Sequence, residues 1–163
     1  MPSKPVWGAF VLMLAAASVL PALAGEDDIR RAFKEFQGAI KARDPHKIWE
    51  LLDNDSQADA NRAALAVQAA FGKADDKTKA EFAKKYGLSA KELGEMTGKL
   101  FLKSNRFHGK YYEIPDSKID SIKVKGDTAR LIYLEEDGDK DKLTLVKQKG
   151  QWRFVVPMPK AVD

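Results

Sequence analysis

The hydrophobic period of this chain changes once, near Gly109, and that single change dictates what it can fold into. Before Gly109, apolar residues return every three or four positions, the rhythm of helices that bury one stripe. After it they alternate, the rhythm of strands that bury one face. Helices that all precede the strands, rather than alternating with them, define an α+β architecture. The N-terminal helices are expected to pack on a curved antiparallel C-terminal sheet, with a longer helical section between.

Ile29, Ala32, Phe33, Phe36, Ala39 and Ile40 form the first stripe. Glu26, Asp27 and Asp28 are placed at its N-terminus, where carboxylates favour the helix dipole. Asp44-Pro45 reads as an N-cap followed by proline at the first helical position. That short second helix buries Ile48, Leu51 and Leu52, with Trp49 near its edge. A third, alanine-rich helix starts from Asp55 or Ser56 and carries Ala60, Ala63, Ala64, Val67 and Phe71. Asp75 or Asp76 opens a fourth, which carries Phe82, Ala83 and Tyr86 and stops at Gly87. Ser89 and Glu92 form a capping box for a fifth, with the stripe Leu93, Met96, Thr97, Leu100, Phe101 and Ser104. Gly94 and Gly98 share another face of that helix and permit close approach of a neighbour. Val67 and Phe71 are expected to pack against the fifth helix.

Beyond Gly109, Tyr111–Ile114 reads as a short strand ended by Pro115. Lys118–Lys125 alternates, placing Asp120 on the same face as Ile122 and Val124. Thr128–Glu136 is apolar on both faces and is therefore a central strand. Asp137-Gly138 signals a hairpin into Lys142–Lys149, and Lys149-Gly150 turns the chain into Gln151–Val156. Trp152, Phe154 and Val156 share one face of that last strand.

Met1–Ala24 reads as an export leader: Lys4, an apolar run from Val6 to Leu20, and the small-x-small triplet Ala22-Leu23-Ala24. Cleavage after Ala24 makes Gly25 the new N-terminus and predicts a secreted or periplasmic protein without a stable membrane span. An uncleaved anchor is the competing reading of the same run, opposed by Pro21 and the cleavage triplet. Residues 25–163 then form one domain, with a helical insertion at about 54–107. The chain has no cysteine, so disulfides, thiolate metal sites and thiol catalysis are excluded. The net charge of +4 is modest and the lysines are interrupted by acids along the sequence, which argues against nucleic acid as a partner.

The leading helix "IRRAFKEFQGAIKARDPHKIWELL" followed by the meander "GDTARLIYLEEDGDKDKLTLVKQKGQWRFVVP" resembles the nuclear-transport-factor-2-like superfamily. The likeness covers Ile29–Asp53 and Lys118–Pro157; residues 53–107 are longer and more helical than the usual middle section. The resemblance implies a cone whose sheet and helices enclose a pocket, used by some relatives for isomerisation or dehydration and by others for binding alone. It also implies possible homodimers through the outer face of the sheet.

Within that frame Asp120 is the sharpest acid candidate, because its strand parity points it inward; the alternative is a solvated or lysine-paired aspartate. His108, beside Phe107, Tyr111 and Tyr112, is either a general base or a junction histidine between a helix and a strand. Trp49, Tyr112 and Tyr133 are candidates to line a pocket with their polar tips inward, or else serve as ordinary core. Two acidic runs, from Asp53 and from Asp137, lack the glycine and terminal glutamate of a calcium loop. No metal or other cofactor is expected. The functional expectation is an exported non-catalytic domain that binds a small apolar ligand or an envelope protein. The alternatives are an isomerase- or dehydratase-like enzyme and a purely structural accessory module.

Overall fold

The computed structural model describes the backbone of residues 20–162 and the side chains of residues 25–162. The fold is α+β, with the helices preceding a four-stranded antiparallel sheet. The leader expected at Met1–Ala24 lies outside the described residues except for Leu20–Ala24. Those five open helix α1 (Leu20–Ala42), which crosses the expected cleavage point without a break. Glu26 and Asp28 therefore lie inside the helix rather than at its start, and pair with Arg30 and Arg31. Among the described residues no helix is long and apolar enough to cross a membrane.

The remaining helices are α2 (Pro45–Leu51), α3 (Asn54–Lys73), α4 (Asp76–Tyr86), α5 (Ala90–Gly94), α6 (Gly98–Lys103) and α7 (Asn105–Lys110). Asp44 caps α2 by accepting from the amides of His46 and Lys47. Asp75 caps α4, and Gly87 ends it at φ +65°. The Ser89–Glu92 capping box is present at α5. The cap of α3 is Asp53, two or three residues earlier than expected, because Asp53 is fixed from two sides. Its amide donates to the Phe154 carbonyl at 3.0 Å, and its carboxylate accepts from Ser56 N at 3.0 Å.

The fifth helix expected from the sequence is two. Its ladder ends at Gly94, and Thr97 supplies a fresh N-cap by accepting from Leu100 N. Of the two glycines, only Gly98 has a neighbour pressed against it. A Cβ there would lie 2.4 Å from Asn61 Oδ1 and 2.7 Å from the Trp49 ring, whereas Gly94 faces open space. The strand expected at Tyr111–Ile114 is absent as well. Helix α7 runs through His108, Tyr111 is its C-cap, and a 3₁₀ turn follows at Ile114–Asp116. Ser104, buried, caps α7 and draws the chain into one more turn of helix.

The sheet runs β1 (Lys118–Lys125), β2 (Thr128–Leu134), β3 (Lys140–Gln148) and β4 (Gln151–Val155), in spatial order β1-β2-β3-β4. The Lys149-Gly150 turn has φ +51° and +79°, as a two-residue hairpin turn demands. Strand β1 carries a bulge between Ile119 and Ser121, so Asp120 has no partner across the strand. The extra residue moves the inward parity to Ile119, Ile122 and Val124, which pack on the core.

The inner face presents Ala129, Leu131, Tyr133, Leu143, Leu145, Trp152 and Phe154 to the stripe of α1. Phe36 stacks on Phe154 with ring centroids 4.5 Å apart, and Phe33 lies 6.0 Å from Tyr133. A second core gathers Ala64, Val67, Phe71, Tyr86, Leu93, Met96 and Phe101 from the helical middle. Val67 and Phe71 are buried with Leu93 and Met96, as expected. Helix α6 joins the two interiors, because Phe101 belongs to one and its neighbour Leu102 to the other. After β4 the chain crosses α7, where Arg106 Nε holds the Lys160 carbonyl and Tyr86 donates to that of Ala161.

Candidate functional site

Strand β4 stops at Val155 for a chemical reason. The turn at 149–150 sets Gln148 opposite Gln151, and the register continues through Val146 and Arg153 to Thr144 and Val155. The next hydrogen-bonded pair in that register is Lys142 with Pro157, and proline has no amide to donate. The strand therefore ends, and the Val156 amide, which faces away from β3, donates to Ser56 Oγ at 2.8 Å.

A notch of about 300 Å³ is left between the bared edge of β3 and the end of α7. Leu143, Val155, Pro157 and the rings of Tyr111 and Tyr133 give it apolar walls, and Lys110 and Asp141 stand at its rim. The polar groups around it are engaged with one another. Lys110 Nζ and the Tyr111 hydroxyl both donate to the Pro157 carbonyl, at 2.8 and 2.5 Å. Tyr133 donates its hydroxyl to Asp141 Oδ2 at 3.1 Å, and Asp141 Oδ1 accepts from Lys142 N at 2.7 Å. That last bond occupies the donor which β4 would have received, so the open edge is blunted against a further strand.

Burial, reinforced by the charge of Asp141, holds the Tyr111 phenol well above its ordinary range. Burial and the same carboxylate do likewise for Tyr133. Both phenols are therefore donors at any physiological pH. Loss of hydration draws Lys110 below the usual lysine range, with Asp141 opposing. The site offers apolar walls, fixed donors and the Asp141 carboxylate at its rim.

The candidate residues read from the sequence do not meet in one cavity. Asp120 lies exposed at the bulge, held by Lys140 Nζ at 2.8 Å. His108 is buried and does not line the notch. One ring nitrogen is held by the Leu102 carbonyl, and Nε2 has no partner. Burial, then the nearby Arg43, lower its pKa to about 4, so it is a neutral core histidine. Trp49 lines a separate cleft with Glu50, Gln57 and Arg153. Tyr112 is 67% exposed and donates to Glu113 Oε1 at 2.6 Å. Of the named aromatics only Tyr133 faces the notch. Neither Asp120 nor His108 pairs with Tyr112 or Tyr133; the carboxylates beside those phenols are Glu113 and Asp141.

Beside the notch, single carboxylate oxygens of Glu113, Glu135 and Asp137 lie within 4.8 Å of one another. Loss of hydration, then the hydrogen bond and charge of Glu113, push Glu135 up to about 7. Asp137 also accepts from Asp139 N at 3.0 Å, which makes that acidic run a polar turn. Lys110, Tyr111, Asp141 and Pro157 escaped the sequence reading. One local signal was present: in Lys140-Asp141-Lys142 strand alternation puts Asp141 on the inner side with Leu143 and Leu145. Comparison with protein-family models, curated proteins and solved structures finds no match for this chain.

Proposed function

We propose that this chain is an exported, non-catalytic binding domain of the nuclear-transport-factor-2-like type, which seats a small, largely apolar molecule in the notch. The observation that carries the reading is the pairing of apolar walls with polar groups that are already mutually satisfied. Such a site rewards burial of hydrocarbon. The space between α1 and the sheet is packed with aromatic and aliphatic side chains, so the ligand's seat is the notch rather than the interior. No residue of α3 to α6 lines it. Export rests on the apolar run Val6–Leu20 and the triplet Ala22-Leu23-Ala24.

The test is amide NMR of the labelled protein titrated with octanoate and with indole as probes. Saturable shifts at Tyr111, Leu143, Thr144 and Val155 support the reading. Shifts centred elsewhere, or none with either probe, contradict it.

A further inference from the structure

The outer face of the sheet, opposite the helices, concentrates charge that is dispersed in the sequence. Lysines and acids alternate along the strands, and a period of two sorts them by face. In Lys140-Asp141-Lys142 the acid turns in toward Tyr133 and both lysines turn out. Residues across from the buried positions of β1 and β2 are Lys118, Lys123, Lys125 and Arg130, and all four are exposed. The acid on this face is Asp120, and Lys140 already holds it at 2.8 Å. Among the described residues no carboxylate pairs with Lys118, Lys123, Lys125, Arg130 or Lys142.

Two of these charges oppose each other directly: Lys123 faces Arg130 across the β1–β2 ladder. Like charges in that position weaken a sheet. The fold bears this cost with no neighbouring acid to offset it. Between the bases lie Ile132, Leu134, Val146 and Val155, half-buried on the same broad face.

We propose that this face docks onto anionic phospholipid headgroups; it borders the notch at Lys142 and Val155 but needs no ligand there. Charge complementarity selects a polyanion and rejects a second copy of the chain, since two such faces would repel. A single-stranded nucleic acid needs aromatic platforms, and no Phe, Tyr or Trp lies on this face. A duplex groove needs a protruding helix or ribbon, and the helices pack on the opposite face. A broad basic sheet with small aliphatic side chains between the charges suits a lipid surface, where each base strengthens binding by about fivefold.

The experiment is vesicle co-sedimentation of the full chain with phosphatidylcholine alone and with added phosphatidylglycerol, at low and high salt. Any attachment through the apolar N-terminal run acts on both vesicles alike, so the reading is the preference for the anionic ones. The triple variant Lys123→Glu, Arg130→Glu, Lys142→Glu is expected to lose that preference by about a hundredfold or more. Lys73→Glu, Lys77→Glu, Lys91→Glu makes the same change of net charge on the helical middle and is expected to keep it. The neutral set Lys123→Gln, Arg130→Gln, Lys142→Gln repeats the test should charge reversal impair folding. Equal losses in the face and helical variants overturn the proposal. So does the absence of any anionic preference, or binding to duplex DNA as tight as to the vesicles.

Discussion

Ser56 and Val156, one hundred residues apart, are joined by a 2.8 Å hydrogen bond from the Val156 amide to the Ser56 hydroxyl. The bond docks the first turn of α3 against the end of β4, where Asp53 N also reaches the Phe154 carbonyl. Ser56→Ala strands a buried amide, a loss of about 1–3 kcal/mol. Asp53→Ala removes the cap of α3 and costs about 1 kcal/mol. The two residues share one network, so the double variant should depart from additivity in a denaturant-unfolding cycle.

The stack of Phe36 on Phe154 ties α1 to the last strand. Either residue replaced by alanine should destabilise by roughly 3–5 kcal/mol, through lost burial and an unfilled cavity. A double-mutant cycle should show a coupling of about 0.5–1.5 kcal/mol from ring geometry beyond area.

Gly98 and Gly94 should respond oppositely to the same change. Gly98→Ala drives a methyl into Asn61 and the Trp49 ring and should cost about 1–3 kcal/mol. Gly94→Ala meets nothing and should be neutral or stabilising by up to about 1 kcal/mol. Thermal melts of the two variants make the comparison.

Two groups give stability opposite slopes in pH. His108 has a folded pKa of about 4 against an ordinary 6.5, so the unfolded chain binds more protons between those values. Its contribution is present above pH 6.5 and is lost as pH falls toward 4, about 3 kcal/mol in full. Glu135 has a folded pKa of about 7 against 4.5, so the folded chain holds the extra proton and stability falls as pH rises through that window. Unfolding free energies across both windows should lose the first slope in His108→Phe and the second in Glu135→Gln.

Features encoded within a few residues were legible in the sequence. The α1 stripe, the caps at Asp44, Asp75 and Ser89, the Gly87 stop and the hairpin turns at Asp137-Gly138 and Lys149-Gly150 are such features. The bulge at Asp120 was not, because it depends on how β2 pairs, and one added residue sent the acid from the inner face to the outer. The break after Gly94 and the helix through His108 escaped for a related reason. Thr97 and Ser104 are competent caps inside segments whose apolar spacing suggests something else. Tyr133 and Asp141 were recognisable by parity, whereas Tyr111 and Lys110 join them only through the tertiary path of the tail. The notch has a second signal that a sequence can carry. Once the turn at 149–150 is placed, counting pairs outward sets Pro157 opposite Lys142.

The most direct measurement is a nuclear Overhauser spectrum of the aromatic side chains in solution. A shared interior for α1 and the sheet predicts strong ring-to-ring contacts between Phe36 and Phe154, and between Phe33 and Tyr133. It predicts none from either pair to Phe71 or Phe82, which belong to the second core. Absence of the Phe36–Phe154 contact, or its replacement by contacts to Phe71, would contradict the architecture on which the notch and the basic face depend.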